Sequence, residues 1–486
     1  MIDFKALSDV KIITILPEII LTLFGMIVLI AGVFGEDKKS EYSYNGYISI
    51  IGVILAILSL FIIKDYSLSA FNHMIVLDKY ALFFKGLILI LTGLTVISSM
   101  NYTVKKERDF GEYYALILFS AVGMMLMSAS TNLITIFISL ETMSISIYCL
   151  AGFRKDEKGV EGAIKYFVLG GFSAAFMLLG MAFIYGATGT FDLKEIGKYI
   201  GIYKEFHFNS MLLIGLALLI TGFLFKVSTV PFHMWTPDVY EASPSPITGF
   251  MATGVKAAAF SAFIRVLIQS FNSYFDSYSQ LLAFFAVITM FGGNLIALAQ
   301  RNVKRMLAYS SIAHAGYILV GLVAGTKLSS SAMLFYLLGY GFMNIGAFLV
   351  LSALSSKEKS NSNLEDLKGV GLKYPFLGIA MSVFMFSMAG VPPTVGFLGK
   401  FYLFLSAINA KLYGLTIIAV INSAISAYYY LRVLVYMYFK GEAEVTAKYS
   451  MSTVFGISIA IAGVLYFGIL PSSILTYLQN SISSLL

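Results

Sequence analysis

The stretch V-P-P-T-V-G-F-L-G-K, Val391–Lys400, lies inside an apolar segment that runs from Phe376 to Leu405. Pro392 and Pro393 cannot continue a helix, because each lacks an N–H and clashes with the preceding turn. Gly390, Gly396 and Gly399 loosen the same place further. Lys400 then follows, with Phe401, Leu403, Phe404 and Leu405 beyond it. A broken helix carrying an ammonium inside a hydrophobic span is costly. In lipid, such features persist only where they line a polar cavity or an ion path.

The rest of the chain has the composition of a membrane protein. It is 58% hydrophobic and 12% charged, with a mean hydropathy of +0.84, whereas a soluble domain carries about 25% charged residues. Apolar runs recur along the whole length, and counting those of bilayer-spanning length gives about fourteen. They lie near 12–34, 46–64, 79–100, 111–129, 131–152, 161–187, 210–230, 246–271, 278–299, 303–325, 330–355, 375–409, 412–439 and 451–470, and the seventh can extend past Pro231 to Tyr240 as a second half-helix. The expectation is an all-α polytopic protein without a separate soluble domain. The net charge of +7 comes from lysines scattered over short loops, which fits an anionic leaflet and not a nucleic-acid partner. One cysteine, Cys149, excludes an internal disulfide, a Cys-based zinc site and an iron–sulfur cluster. Met1–Lys11 mixes Asp3, Lys5, Asp9 and Lys11 ahead of a long apolar run, which is unlike a cleaved signal.

Loop charge sets the expected orientation. Loops after odd-numbered spans hold Lys38, Lys39, Lys105, Lys106, Arg108, Arg154, Lys155, Lys158, Arg301, Lys304, Arg305, Lys357, Lys359, Lys368, Lys373, Lys440 and Lys448. Loops after even-numbered spans hold Lys194, Lys198, Lys204, Lys327 and Lys411. Odd-span loops are therefore expected in the cytoplasm and both termini in the periplasm. The twelfth span then runs outward, with Lys400 past its break toward the periplasmic half.

Ionisable residues at membrane depth are functional candidates by default. They are Glu141 in the fifth span, Lys165 in the sixth, Lys226 in the seventh, Lys256 in the eighth, His314 in the tenth and Lys400 in the twelfth. The bland alternative for a lysine near a helix end is that it snorkels to the interface, and this reading applies to Lys165, Arg265 and Lys85. It fits Lys226, Lys256 and Lys400 poorly, because apolar turns or a helix break flank each one. For His314 alone, a satisfied packing role is the ordinary alternative. Lys226 precedes Pro231 much as Lys400 follows Pro392, five spans apart. An odd offset reverses direction, so spans 4–8 and 9–13 are expected to be inverted repeats with helices 7 and 12 broken. This divides the chain into 1–110, 111–271, 278–440 and 451–486.

Burial disfavours the charged form of a lysine and a nearby carboxylate restores it. Glu141 beside Lys226 is therefore expected to act as a switchable ion pair. Lys226, Lys256, His314 and Lys400, joined by water and by Ser or Tyr hydroxyls, can pass protons along the membrane plane. Lysine suits this better than arginine, which does not deprotonate.

Three longer stretches sharpen the reading: F-K-V-S-T-V-P-F-H-M-W-T-P-D-V-Y-E-A-S-P-S-P-I-T-G-F (Phe225–Phe250), R-N-V-K-R-M-L-A-Y-S-S-I-A-H-A-G-Y (Arg301–Tyr317) and M-A-G-V-P-P-T-V-G-F-L-G-K-F (Met388–Phe401). Through them, residues 70–440 resemble the antiporter-like membrane subunits of respiratory complex I (NADH–quinone oxidoreductase). The resemblance implies proton translocation coupled to quinone reduction elsewhere in the complex. It gives Glu141 and Lys226 the ion pair of a first half-channel, Lys256 the bridge, His314 the connecting path and Lys400 the terminal site of a second half-channel. Lys165 and His233 are secondary candidates. Among the sister subunits, V-Y-E-A-S-P-S-P resembles the N-type. The M-type usually carries glutamate at the terminal site, and no long lateral helix of the L-type is expected after the last span. The resemblance implies no cofactor or metal on this chain, with NAD, FMN, iron–sulfur clusters and quinone on partner subunits. It implies M-, K- and J-type neighbours, the lateral helix of an L-type subunit, surrounding lipid and a bacterial inner membrane. An Mrp-type cation/proton antiporter subunit, a membrane subunit of a hydrogenase or of a ferredoxin- or F420-dependent relative, and a purely structural scaffold are the rival readings.

Overall fold

In the computed structural model, residues 11–35, 43–105, 109–203, 210–355, 361–447 and 449–485 are described. Lys38, Lys39, Lys106, Arg108, Lys204, Lys357, Lys359 and Lys448, used above for orientation, lie outside them. The helices follow the apolar runs: α1 (Leu16–Gly35), α2 (Tyr44–Ile63), α3 (Lys79–Lys105), α4 (Gly111–Ala129), α5 (Leu133–Ala151) and α6 (Glu157–Thr188). A short helix, α7 (Leu193–Tyr203), precedes a span in two pieces, α8 (Ser210–Lys226) and α9 (Trp235–Ala242). After α10 (Ser245–Ser270) come α11 (Phe275–Ala299), α12 (Val303–Ala324) and α13 (Lys327–Leu354). A second divided span, α14 (Pro375–Ala389) and α15 (Val395–Asn409), leads to α16 (Tyr413–Phe439), α17 (Met451–Ile469) and α18 (Ser472–Ser483). Among the described residues, twelve helices are long and apolar enough to cross a membrane. The chain is a multi-pass membrane protein.

Burial separates an inner set of helices from an outer one. The most apolar windows of α10, α12 and α13 are 94%, 94% and 100% buried, against 33–39% for α1, α2, α6, α11, α16 and α17. The inner three therefore form a central pillar, while outer helices turn side chains such as Phe34, Phe172 and Phe455 outward. Small residues set the closest approaches, as lipid-embedded packing requires. A Cβ on Gly123 of α4 would lie 2.6 Å from the Met143 nitrogen of α5, and one on Gly293 of α11 would lie 2.6 Å from the Ala313 nitrogen of α12. Both positions admit only glycine without the helices moving apart.

Both proline segments do interrupt their helices. The first break, Val227–Met234, holds Ser228 at φ 63°, and the second, Gly390–Thr394, holds Gly390 at φ 93°. This left-handed conformation is ordinary for glycine and disfavoured for serine. Trp235 fixes the first break from beyond: its ring stacks on Tyr166 at 4.2 Å and its Nε1 donates to the Phe225 carbonyl.

Two short elements stand where open loops were expected between the spans. Leu68–Ala70 (β1) pairs antiparallel with Ile75–Leu77 (β2), Leu68 opposite Leu77. Lys194 and Lys198 are not in an open loop but on α7, capped by Asp192 Oδ1. Leu193, Ile196 and Ile200 form the buried stripe of α7, which packs against α10, while both lysines face out.

Candidate functional site

Lys226 is the last residue of α8, where the chain stops being helical, and its side chain is buried. Its Nζ donates to Ser144 Oγ at 2.9 Å and to Tyr148 OH at 3.3 Å. Glu141, Ser144 and Tyr148 recur at helical spacing, so they share one face of α5. The expected ion pair is not closed. Glu141 Oε1 is buried without a hydrogen-bond partner, and no salt bridge joins it to Lys226. Ser144 intervenes three residues along, a rise of about 4.5 Å. The correction has a local cause: the hydroxyls of Ser144 and Tyr148 are nearer acceptors for the ammonium.

The second half gathers around α12. Lys256 Nζ, buried, donates to the Ser311 carbonyl at 2.6 Å. His314, three residues on, is held between two phenols: Nδ1 meets Tyr336 OH, and Nε2 lies 2.9 Å from Tyr430 OH. Tyr430 OH also meets Ser310 Oγ. Three residues further, the Tyr317 ring lies 5.4 Å from Lys400 Nζ. Ser311, His314 and Tyr317 thus place Lys256, His314 and Lys400 along one face of one helix. Lys400 Nζ donates to the Met388 and Ala389 carbonyls, 2.8 and 3.1 Å, and to Ser423 Oγ, 2.9 Å. Those carbonyls close α14 and carry the partial negative charge of a helix end. Lys400 itself lies beyond its break, on α15, as the sequence order requires. Helical side chains lean toward the N-terminus, and the ammonium returns to the break itself.

Residues 130–426 match the family described as NADH:quinone oxidoreductase/Mrp antiporter, TM. Over 475 residues and 96% of each chain, the sequence is 49% identical to the NADH-quinone oxidoreductase subunit N of Trichlorobacter lovleyi (strain ATCC BAA-1151 / DSM 17278 / SZ). The chain belongs to the NADH-quinone oxidoreductase subunit N family. A chain in the structure of respiratory complex I from Thermus thermophilus with bound aureothin superposes with a TM-score of 0.81 at 34% identity, covering 95% of this chain and 99% of that one. A chain of the Mrp complex from Dietzia sp. DQ12-45-1b shares the fold, with a TM-score of 0.83 over 98% and 97% of the two chains, at 18% identity.

In this subunit N relative, the remaining candidates divide. Lys165 is half-buried and paired with Glu161 and Asp238 at 2.6 and 3.0 Å, so it joins a polar cluster at the end of α9 and not the buried row. His233 sits in the first break with its Nδ1 buried and unpartnered and its ring edge toward Tyr309 of α12. Lys304 corrects the loop reading. It is buried in the first turn of α12, where its Nζ caps the Glu241 and Ser243 carbonyls that end α9. Arg305 beside it pairs with Asp238 at 2.7 Å and Glu241 at 3.2 Å. Lys85 and Arg265 do not snorkel. Both are fully buried and ion-paired, Lys85 with Glu18 at 2.7 Å and Arg265 with Asp78 at 2.9 Å, because a buried cation needs a partner. The residues missed from sequence are the hydroxyls Ser144, Tyr148, Tyr317, Tyr336, Ser423 and Tyr430. Ser144 and Tyr317 each lie three residues from a candidate, Glu141 and His314, and Tyr148 lies two turns from Glu141, whereas Tyr336, Ser423 and Tyr430 stand at no helical spacing from any candidate and carried no signal.

Proposed function

We propose that this chain is the proton-translocating subunit N of an NADH:quinone oxidoreductase, a membrane translocase whose quinone reduction takes place on other subunits. The observation that carries the reading is the buried row of Lys226, Lys256, His314 and Lys400 in a chain 49% identical to a subunit N over nearly its whole length. Glu141 and Lys226 form the loading pair, here open. When the ammonium swings from Ser144 to Glu141 the lysine is held charged, and when it returns to neutral hydroxyls it can release its proton. Lys256, His314 and the phenols of Tyr336 and Tyr430 carry the proton across, and Lys400 is the terminal site. Lys165 and His233 are secondary.

Fourteen spans are obtained by reading α8 with α9, and α14 with α15, as one broken span each. Spans 4–8 and 9–13 are then inverted repeats. Equivalent pairs pack in each half: α4 with α5 and α11 with α12, α6 with α8 and α13 with α14. The divisions 1–110, 111–271, 278–440 and 451–486 follow from this. Both termini face the periplasm of a bacterial inner membrane, M-, K- and J-type subunits flank the chain with an L-type lateral helix alongside, and NAD, FMN, iron–sulfur clusters and quinone sit on partners. The test is NADH-driven proton uptake into inverted membrane vesicles by complexes carrying Lys226→Ala, Glu141→Ala or Lys400→Ala. Each variant is expected to assemble and pump less than wild type. Wild-type pumping in all three would sink the proposal.

A further inference from the structure

The best-formed buried charge pair outside the row lies at the opposite end of α10 from its entry. An open basin of about 1210 Å³ is bounded by the β1–β2 hairpin, α7 and α18, with Lys64, His73, Lys198, Asn480 and Ser483 on its walls. Asp78 lies in its lining, only 7% exposed. Under it is Arg265, with no exposure. The guanidinium spans the carboxylate, Nη1 to Oδ2 at 2.9 Å and Nη2 to Oδ1 at 3.1 Å, and its Nε donates to the Ser128 carbonyl at 3.2 Å. Oδ1 also accepts from the Ala81 amide at 2.6 Å, and the Tyr80 ring covers the guanidinium at 4.9 Å. Both carboxylate oxygens are therefore occupied.

Arg265 stands nine residues after Lys256 on α10, a rise of about 13.5 Å. Between them Ser261 supplies a carbonyl to Tyr80 OH, and the same Tyr80 ring lies over the Arg265 guanidinium, so one polar bridge stands between the buried row and the basin. A free carboxylate at the basin floor would complete that bridge and let a proton on Lys256 leave directly.

We propose that Arg265 is a proton seal. It locks Asp78, the carboxylate that would otherwise relay protons between Lys256 and the basin, and so forces transfer sideways to His314. Arginine suits the position because it does not give up a proton at any working pH. The inference rests on Lys256 carrying protons, as proposed above. The step it prevents is a bare proton movement, from the Lys256 ammonium through water to the Asp78 carboxylate and out to the basin, with no electron transferred.

The test uses the whole complex in proteoliposomes without NADH, with passive proton flux after an external acid jump followed by an entrapped pH dye. Arg265→Gln is expected to raise the flux about tenfold, one decade of rate, while quinone reduction continues with poorer coupling. Adding Asp78→Asn removes the relay and is expected to return the flux to near wild type, although both ionic groups are then gone. Adding Lys256→Met to Arg265→Gln is expected to do the same. A tight Arg265→Gln complex, or equal leakage with and without Asp78→Asn, overturns the seal and leaves a purely structural clamp. If Arg265→Gln does not assemble, Arg265→Lys keeps the charge but cannot span both oxygens. Its flux is expected to be intermediate, and a tight Arg265→Lys complex also overturns the proposal. Failure of the functional reading shows elsewhere, as undiminished pumping in Lys226→Ala.

Discussion

Lys226 and Lys400 sit at the two helix breaks, yet the structure treats their ammonium groups differently. Lys226 ends the helix before its break and hydrogen-bonds only to side-chain hydroxyls, with one buried oxygen of Glu141 left unpartnered about one turn along α5. Lys400 begins beyond its break and folds back onto two carbonyls and a serine. Neutral hydroxyls hold a cation weakly and rotate. Terminal helix carbonyls hold it more firmly, through a dipole that cannot turn away. One proline-broken design thus gives one lysine that is easily released and one that is tethered. The difference suits a loading site and a terminal site, and it can be attacked from either side.

The largest effect is expected at the loading site. Lys226→Ala should lower NADH-driven proton uptake by about tenfold, less than the usual loss of a positioned acid–base group because water in the unwound segment offers a second route. Lys400→Arg sharpens the contrast. It keeps a cation for the carbonyls but cannot deprotonate, so complex content on native gels should stay normal while pumping falls several-fold, by about fivefold. Equal pumping by Lys400→Arg and wild type would turn the tethered lysine into a structural cap. Glu141→Asp should be milder than Glu141→Ala, since it keeps the carboxylate and shortens its reach; a reversed order in vesicle assays would remove Glu141 from the loading pair. The smallest functional effect is expected from Tyr148→Phe, which deletes one of two hydroxyl acceptors and should cost about 0.5 kcal/mol, roughly twofold in rate.

Much of this arrangement was legible in the sequence. The spans follow from apolar run length, and both breaks from Pro231 and Pro392–Pro393, because proline's missing donor acts locally and needs no tertiary context. The buried lysines were legible for a local reason too: apolar turns or a helix break flank Lys226, Lys256 and Lys400, which makes snorkelling to the interface hard. What could not be read depends on residues far apart in the chain. Glu18 meets Lys85, and Asp78 meets Arg265, across 67 and 187 positions, so each cation looked like an ordinary helix-end residue. The open state of Glu141 turns on which acceptor lies nearer Lys226, a distance no spacing rule supplies. Lys304 was hidden by its neighbours Arg301 and Arg305, which made the segment look like a charged loop, whereas the C-terminal carbonyls of α9 give it a buried role.

The chain contains a single tryptophan, and it is the residue that props the first break. Trp235 is stacked at 4.2 Å on Tyr166, close to Phe225, and tied by its indole N–H to the carbonyl just before Lys226. Its ring environment changes whenever the unwound segment shifts. The protein therefore carries a built-in optical probe beside Lys226, whose emission would follow the movement of that segment without any attached label.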